Sequence, residues 1–360
     1  KNPFFFYVAY TAAHWPLHAP ASEVAKYKGK YNKGWDFARQ QRFEKLKKLG
    51  IISNNCVLTE RGVTIPAWNN EPLKEWQVKR MEVYAAMIDI MDQGVGSIIT
   101  ALEQKGILEN TIIFYMHDNG GCAETLDTDQ PEIPLTAAQK LKKSFAADSI
   151  LLDKKPVYTR DGDFVRSGRG VVPGEANTWS TYGVEWANVS NTPFREYKQF
   201  THEGGIASPL IVYWPKGIKA RGELRKQPSH LIDILATCVD IVGLKYPTVF
   251  NGHTILPLEG KSLVPTFTNQ PIAREFIFWE HAANRALRMN EWKLVSKTQK
   301  KKIFSPLVDN TWELYNIDND PSETNNLANK YPEKVKELSA KWEAEAIRIK
   351  AKPWPWETKN

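Results

Sequence analysis

Residues 111–121 read TIIFYMHDNGG, and the fold class turns on them. Thr111 to Met116 is a short apolar run of the length of a buried strand. It stops at His117-Asp118-Asn119-Gly120-Gly121, which is polar and rich in turn formers. Upstream, Lys74 to Lys105 places Met81, Tyr84, Ile88, Met91, Val95, Ile98 and Leu102 at three- and four-residue steps, the period of an amphipathic helix. Gly94 and Gly96 inside it each cost about 1 kcal/mol relative to Ala, so close packing is the expected reason for them. Downstream, Pro209 to Trp214 reads as another strand and His230 to Val242 as a second amphipathic helix. Further upstream, Pro3 to Tyr10 (PFFFYVAY) reads as a buried strand of its own. Strands alternating with helices predict an α/β fold, a mostly parallel sheet sandwiched by helices.

Outside this frame the texture varies. Residues 22–60 are basic and helix-prone, with Phe37, Phe43, Leu46 and Leu49 expected on one face. Residues 122–195 have no sustained period and many Gly, Pro and Asp, and read as a long excursion of loops, the kind that usually carries function. After about Pro265 come short strand-like runs at Phe276–Trp279, Ala286–Met289, Trp292–Ser296 and Trp312–Ile317, with Asn290-Glu291 as a tight turn. A last helix is expected from Pro332 to Ile349, with Pro332 in its first turn. The expected domains are therefore 1–265, the α/β part, and 266–360, a small antiparallel sheet with one helix.

The composition suits a soluble globular protein of 360 residues, 42% hydrophobic and 25% charged. The formal net charge of +7 fits an anionic substrate. The basic residues are scattered and form no single stripe, which argues against nucleic acid. The dense run Lys300 to Lys302 reads as a solvated loop. No apolar run of membrane-spanning length is present, so no membrane span is expected. Cys56, Cys122 and Cys238 are too few and too far apart for a disulfide framework or a zinc site. The chain opens almost directly on an apolar run, with no initiator Met and no signal-peptide pattern, and further residues are expected upstream of Lys1.

In open α/β sheets ligands bind beyond the carboxyl ends of the strands. Three polar groups stand near such positions: His14 after the 3–10 run, Asp118 with Asn119 after the 111–116 run, and Lys198 with Glu203-Gly204-Gly205 ahead of the 209–214 run. Asp118 and Asn119 offer hard oxygen ligands, suited to Ca²⁺ or Mg²⁺. Two ligands do not fill a calcium shell, and Asp-Asn-Gly-Gly is also a good turn sequence.

The order of the pieces carries more. FFFYVAYTAAHWPLHAP resembles the strand and histidine loop of formylglycine-dependent sulfatases. YAAMIDIMDQGVGSIITALEQKGILENTIIFYMHDNGG resembles their long helix, strand and calcium-binding Asp-Asn pair. WANVSNTPFREYKQFTHEGGIASPLIVYWPKGI resembles their sulfate-binding lysine segment. WEHAANRALRMNEWKLV and WELYNIDNDPSETNNLA resemble the C-terminal subdomain of arylsulfatase-like members. The likeness runs through nearly the whole chain in the family's order, and it implies an alkaline-phosphatase-like fold.

The resemblance implies hydrolysis of sulfate monoesters, on a sulfated small molecule or a sulfated glycan. Asp118 and Asn119 would ligate Ca²⁺, ahead of Mg²⁺, and Asp118 could also take the nucleophile's proton. Lys198 and His14 would contact the sulfate, with His14 able to protonate the leaving oxygen. His281 and Asn284 would reach the substrate side. The family's Cys/Ser-x-Pro/Ala-x-Arg motif is not present in these 360 residues. The formylglycine nucleophile is therefore expected on an upstream N-terminal segment, and this chain alone is expected to be inactive. A periplasmic or secreted location is implied by the resemblance. The alternatives are a phosphoester hydrolase of the same superfamily and a non-catalytic chain that binds sulfated glycan.

Overall fold

The structure is a computed structural model that describes residues 2–125, 131–150, 155–298 and 311–354. The Lys300–Lys302 run lies outside the described residues. The chain gathers into two compact units that interleave along the sequence. One comprises Lys1–Lys45, Glu60–Leu102 and Gly121–Tyr197; the other comprises Leu46–Thr59, Glu103–Gly120 and Lys198–Asn360.

The first unit is helical. α1 (Ala21–Ala25), α2 (Gly34–Lys48, whose last turn belongs to the second unit), α3 (Lys74–Gln104, likewise) and α4 (Gly183–Ser190) supply its regular structure. α3 forms where a helix was predicted, but of the predicted stripe only Met81 and Met91 are buried; its buried residues cluster from Trp76 to Met91 on several faces, and Ile98 is exposed. The core is a knot of three indoles. Trp35 lies edge-on to Trp68 at 4.7 Å and to Trp186 at 5.9 Å between ring centroids. Trp35 and Trp186 are entirely buried, and large side chains of this kind contribute most of a core's apolar burial. Gly34 has φ +75°, and a Cβ there would fall 2.0 Å from the Trp68 ring, so only glycine fits. Gly94 is explained the same way, since a Cβ would meet the Tyr10 hydroxyl at 2.6 Å; Gly96 has nothing within 4 Å. By length and composition α3 could cross a membrane, with mean hydropathy 1.2 over its best window. It also carries Asp89 and Asp92, and each carboxylate would cost about 2.5–3.5 kcal/mol at a bilayer centre.

Three expectations are corrected here. Pro3 to Tyr10 is not a strand: it forms no ladder and is exposed, with Phe5, Phe6 and Tyr7 each more than three-quarters accessible. Aromatic residues favour an extended backbone, but a strand exists only through a hydrogen-bonded neighbour, and no described strand pairs with this one. On α2 the buried side chains are Trp35 and Arg39, while Phe37 is exposed, because the indole knot outweighs the phenylalanines. The 122–195 excursion contains α4, short and started at a glycine, which a window read for sustained periods passes over.

In the second unit, β1 (Ile113–Met116) occupies the predicted strand and is followed by α5 (Glu203–Ile206) and β2 (Leu210–Tyr213). β1 and β2 pair antiparallel, Ile113 opposite Tyr213 and Met116 opposite Leu210. They stand as a two-stranded sheet, and every pair among the described strands is antiparallel. α6 (Asp233–Ile241) lies within the predicted helix, and β3 (Val249–Phe250) and β4 (His253–Thr254) form a small hairpin.

The C-terminal sheet is antiparallel, as predicted: β5 (Ile277–His281), β6 (Asn284–Met289), β7 (Trp292–Ser296) and β8 (Glu313–Asn316), in that order, with α7 (Pro332–Arg348) against it. Asn290 has φ +55°, which places the predicted turn between β6 and β7. The register sorts the side chains by face. Phe278, Leu287, Leu294 and Leu314 are cross-strand partners on one face and pack on Leu338, Trp342 and Ala346 of α7. Trp279, Ala286, Val295 and Tyr315 line the other face, together with Lys293. A sheet buried on both faces leaves Lys293 without solvent, and that sets up the site.

Candidate active site

β1 delivers the Asp118 loop, and the loop is tied to the segment that enters β2. His117 N–H donates to Pro209 O at 3.3 Å, Gly120 N–H donates to Gly205 O at 2.9 Å, and the Ser208 hydroxyl donates to His117 O at 2.8 Å. The predicted metal pair therefore sits on a backbone fixed at both ends. Asp118 is exposed. The Asn119 amide nitrogen donates to Gly120 O at 2.7 Å, which leaves its Oδ1 as the remaining acceptor. An exposed carboxylate beside an amide oxygen is a hard donor pair, fit for calcium, but it is two ligands of the six to eight that calcium takes. Among the described residues no group of three or more His, Cys, Asp or Glu is placed to hold a metal, so these residues fit a calcium site only as part of a larger set.

Lys198 is half-buried on the loop before α5, between Glu196 and Gln199, which have φ +64° and +84°. Two non-glycine residues in the left-handed region in so short a stretch store strain, each of order 1–3 kcal/mol, of the sort found at functional loops. His281, at the end of β5, meets this loop. Its Nδ1 lies 3.2 Å from Gln199 O. A carbonyl only accepts, so Nδ1 carries the proton. Asn284 is buried, and its amide closes the turn from β5 to β6: its Nδ2 donates to His281 O at 3.0 Å and its Oδ1 accepts from Thr298 N–H at 3.1 Å. The structure thus brings His281 to the Lys198 loop and places Asn284 behind it as a turn-former.

A buried ionic cluster under the same loop was not expected from the sequence. Lys293 Nζ lies 2.6 Å from Glu203 Oε1 and 2.8 Å from Glu323 Oε1, and the Lys293 and Glu323 side chains are wholly inaccessible. Glu203 N–H donates to Glu323 Oε2 at 2.9 Å. Beside it, buried His202 places Nε2 3.2 Å from Glu313 Oε2, which also accepts from the Tyr315 hydroxyl at 2.6 Å. Burial pulls the Lys293 ammonium down, and Glu203 and Glu323 more than reverse that, so it is held above the usual lysine range. Burial pushes Glu323 up, and Lys293 and then His202 overcome it, holding the carboxyl below its usual range. The sequence offered one signal for this cluster, a lysine in a strand whose neighbours on both faces are apolar.

His14 belongs to the other unit and is described by its own surroundings. It is exposed, and its Nδ1–H donates to Trp15 O at 2.9 Å. Its loop is pinned to residues 174–180: Leu17 N–H donates to Ser180 O, and His18 Nε2–H to Thr178 O at 2.7 Å. Trp15 Nε1–H donates to Glu124 at 2.9 Å. With Nδ1–H spent on Trp15, the neutral ring presents Nε2 as an acceptor, so donation from Nε2 requires the imidazolium. A neutral His14 ring donating to a sulfate oxygen would need the other tautomer.

A cleft of about 490 Å³ in the second unit is lined by Asn55, Trp292, Asn316, Asp320, Asn325 and Tyr331 and includes none of the predicted site residues.

Residues 1–244 match the sulfatase family model, and residues 195–352 match the model described as N-sulphoglucosamine sulphohydrolase, C-terminal. An uncharacterized sulfatase of Schizosaccharomyces pombe is 30% identical over 349 residues, 95% of this chain and 57% of that protein. An arylsulfatase of Klebsiella aerogenes is 28% identical over 276 residues, 73% of this chain and 51% of the relative. The crystal structure of Ps i-CgsB superposes with a TM-score of 0.53 at 20% identity, covering 98% of this chain and 56% of that one. It bears out the fold, an alkaline-phosphatase-like α/β architecture with a small antiparallel C-terminal sheet and helix. The chain spans about half the length of the relatives it matches. With a family model matched over more than half its residues, this chain belongs to the sulfatase family.

Proposed function

We propose that the full-length protein hydrolyses sulfate monoesters, with a sulfated small molecule or sulfated glycan as substrate, in a periplasm or outside the cell. The observation that supports this most is the backbone lock between the Asp118 loop and the segment that follows Lys198, the Gly120 N–H to Gly205 O bond of 2.9 Å. It fixes a hard-oxygen pair relative to the turn that follows the lysine, and transition-state stabilisation by fixed charges needs such rigidity. Asp118 and Asn119 would hold Ca²⁺, or Mg²⁺ in its place. Held there, it would supply positive charge that offsets the charge growing on the sulfuryl oxygens.

In this reading the ammonium of Lys198 faces the sulfuryl oxygens, where negative charge grows as the ester bond breaks. Asp118 can accept the proton of the attacking hydroxyl. At His14, Nδ1–H is held by Trp15 O, so any proton it gave to a leaving oxygen would come from Nε2 of the imidazolium. His281 steadies the Lys198 loop through Gln199 and would contact substrate, whereas Asn284 acts by holding the turn beneath it. The nucleophile is proposed to be a formylglycine on an upstream segment, so residues 1–360 alone are expected to be inactive.

The test is turnover of an aryl sulfate by the full-length protein with and without calcium, in parallel with an aryl phosphate. Calcium-dependent sulfate release, lost in Lys198→Ala, is the expected result. Preferential hydrolysis of the phosphate ester would favour a phosphoester hydrolase. Binding of a sulfated glycan with no turnover of either ester would favour a non-catalytic glycan-binding chain.

A further inference from the structure

A lysine sealed between two carboxylates is poorly explained as a stabiliser. Taking three charges out of water costs several kcal/mol per ion, and well-packed apolar residues of the same volume often serve stability as well or better. What such a cluster supplies is geometry. The ammonium donates to Glu203 and lies in ion-pair contact with Glu323, which ties both carboxylates to one arrangement. Lys293 Nζ reaches Glu203 at 2.6 Å and Glu323 at 2.8 Å, and Glu323 also accepts from Glu203 N–H. Glu203 is thereby gripped by both its side chain and its backbone.

Glu203 opens α5, and the next two residues, Gly204 and Gly205, are buried and have no side chain by which packing could hold them. Gly205 O accepts from Gly120 N–H, two residues beyond Asp118, while Lys198 stands five residues before Glu203 on the same connecting stretch. The grip on Glu203 therefore acts on the short turn that links the lysine loop to the Asp118 loop. We propose that Lys293 is a positioning residue of the sulfate site: through Glu203 it fixes the turn that carries Lys198 on one side and anchors the Asp118 loop on the other. The proposal rests on the sulfatase reading for its catalytic consequence, and on the hydrogen-bond geometry alone for its structural one.

The experiment uses full-length protein with two variants. Lys293→Met strands two buried carboxylates, and Lys293→Met combined with Glu203→Gln and Glu323→Gln removes every charge of the cluster. Five quantities are read: Tm, amide exchange at Gly120, calcium affinity by titration, and kcat and KM on an aryl sulfate. Tm should fall in the single variant and recover toward wild type in the triple. In both, Gly120 exchange should quicken and calcium affinity and kcat should fall, each by about tenfold or more, as for loss of supporting partners behind a site. KM should stay within about threefold, since orientation and not uniform binding is lost.

Recovery of kcat and of Gly120 protection together with Tm in the triple variant would overturn the proposal and leave the cluster a structural element. If Lys293→Met does not fold, the triple variant carries the test. If the wild-type protein turns over no sulfate ester, the sulfatase reading fails, and Gly120 exchange alone decides whether Lys293 positions the loop; unchanged exchange in the triple variant sinks it.

Discussion

Lys198 and Lys293 carry the same ammonium within one compact unit, and their surroundings differ in nearly every respect. Lys198 is half-buried on a strained loop between two left-handed residues, partly open to solvent. Lys293 is wholly buried on a central strand between two carboxylates, where no anion can. The difference teaches how a fold divides work between like charges. A lysine at a solvent edge stays in contact with water, which screens its charge. A lysine sealed in low dielectric is matched by the protein itself, and breaking that match is far costlier than breaking a surface pair.

The largest effect follows directly. Lys293→Met leaves Glu203 and Glu323 unpaired and should destabilise the fold by about 3–5 kcal/mol, whereas Lys198→Ala should stay within about 0.5 kcal/mol. Denaturant unfolding followed by tryptophan fluorescence measures both. Similar losses for the two variants would erase the distinction.

Catalysis should invert the ranking by chemistry. On full-length protein, Lys198→Ala should lower kcat on an aryl sulfate by about 10²–10³-fold, the usual result of removing one preorganised charge-stabilising donor, with KM little changed. If kcat at saturation is unaffected, Lys198 is not at the sulfate.

Proton linkage gives a smaller and graded test of the buried side. Glu323 has its carboxyl held below the usual range, so its contribution is present above the unfolded carboxylate value, near 4.3, and is lost as pH falls through the lower folded value. Lys293 is held above the usual range, so its contribution is complete below the unfolded value, near 10.4, and is lost as pH rises through the higher folded one. Unfolding free energy should therefore be flat between about pH 5 and 10 with respect to this cluster and should fall off at both ends. The triple variant without the charges should lose that share of the fall-off. A profile identical to wild type would mean the cluster does not titrate on unfolding.

The comparison also marks what a sequence can disclose. The Asp118–Asn119 pair and Lys198 stood out in the sequence because they follow one another in order along strand, turn and loop, and the structure places them on loops joined by the Gly120–Gly205 bond. The C-terminal strands were legible because their apolar runs are short, punctuated, and paired with near neighbours. Lys293 was not, because a lysine in a strand reads as a solvent-facing position, and only the second covered face of the sheet reverses that. The 3–10 run failed for the opposite reason. Its aromatic content is all strand, but pairing is a non-local property, and its exposed Phe5, Phe6 and Tyr7 find no ladder. Asn284 lay on the right hairpin, but its part there is set by two hydrogen bonds that no spacing rule foretells. His14 was identifiable as a loop histidine, while its tautomer depended on the Trp15 carbonyl.

The smallest effect sharpens the contrast from the Lys198 side. His281 holds the lysine loop by one hydrogen bond, Nδ1–H to Gln199 O at 3.2 Å, and the residue is exposed. A neutral bond at a wet surface is exchanged for water when it is lost, so its net worth is about 0.5–1.5 kcal/mol. His281→Ala should therefore cost stability at the lower end of that range, a fraction of the Lys293→Met loss. Its catalytic effect separates two roles. If His281 only steadies Gln199, His281→Asn, whose side-chain amide can donate to the same carbonyl, should recover most of any lost turnover. If His281 touches the substrate, His281→Asn should fold as wild type and yet raise KM as much as His281→Ala does. The lysine loop then has a second hand on the substrate that the buried lysine lacks. A loss of stability in His281→Ala as large as that in Lys293→Met would show instead that the loop depends on this one bond, and the division between a gripped core lysine and a lightly tethered rim lysine would fail.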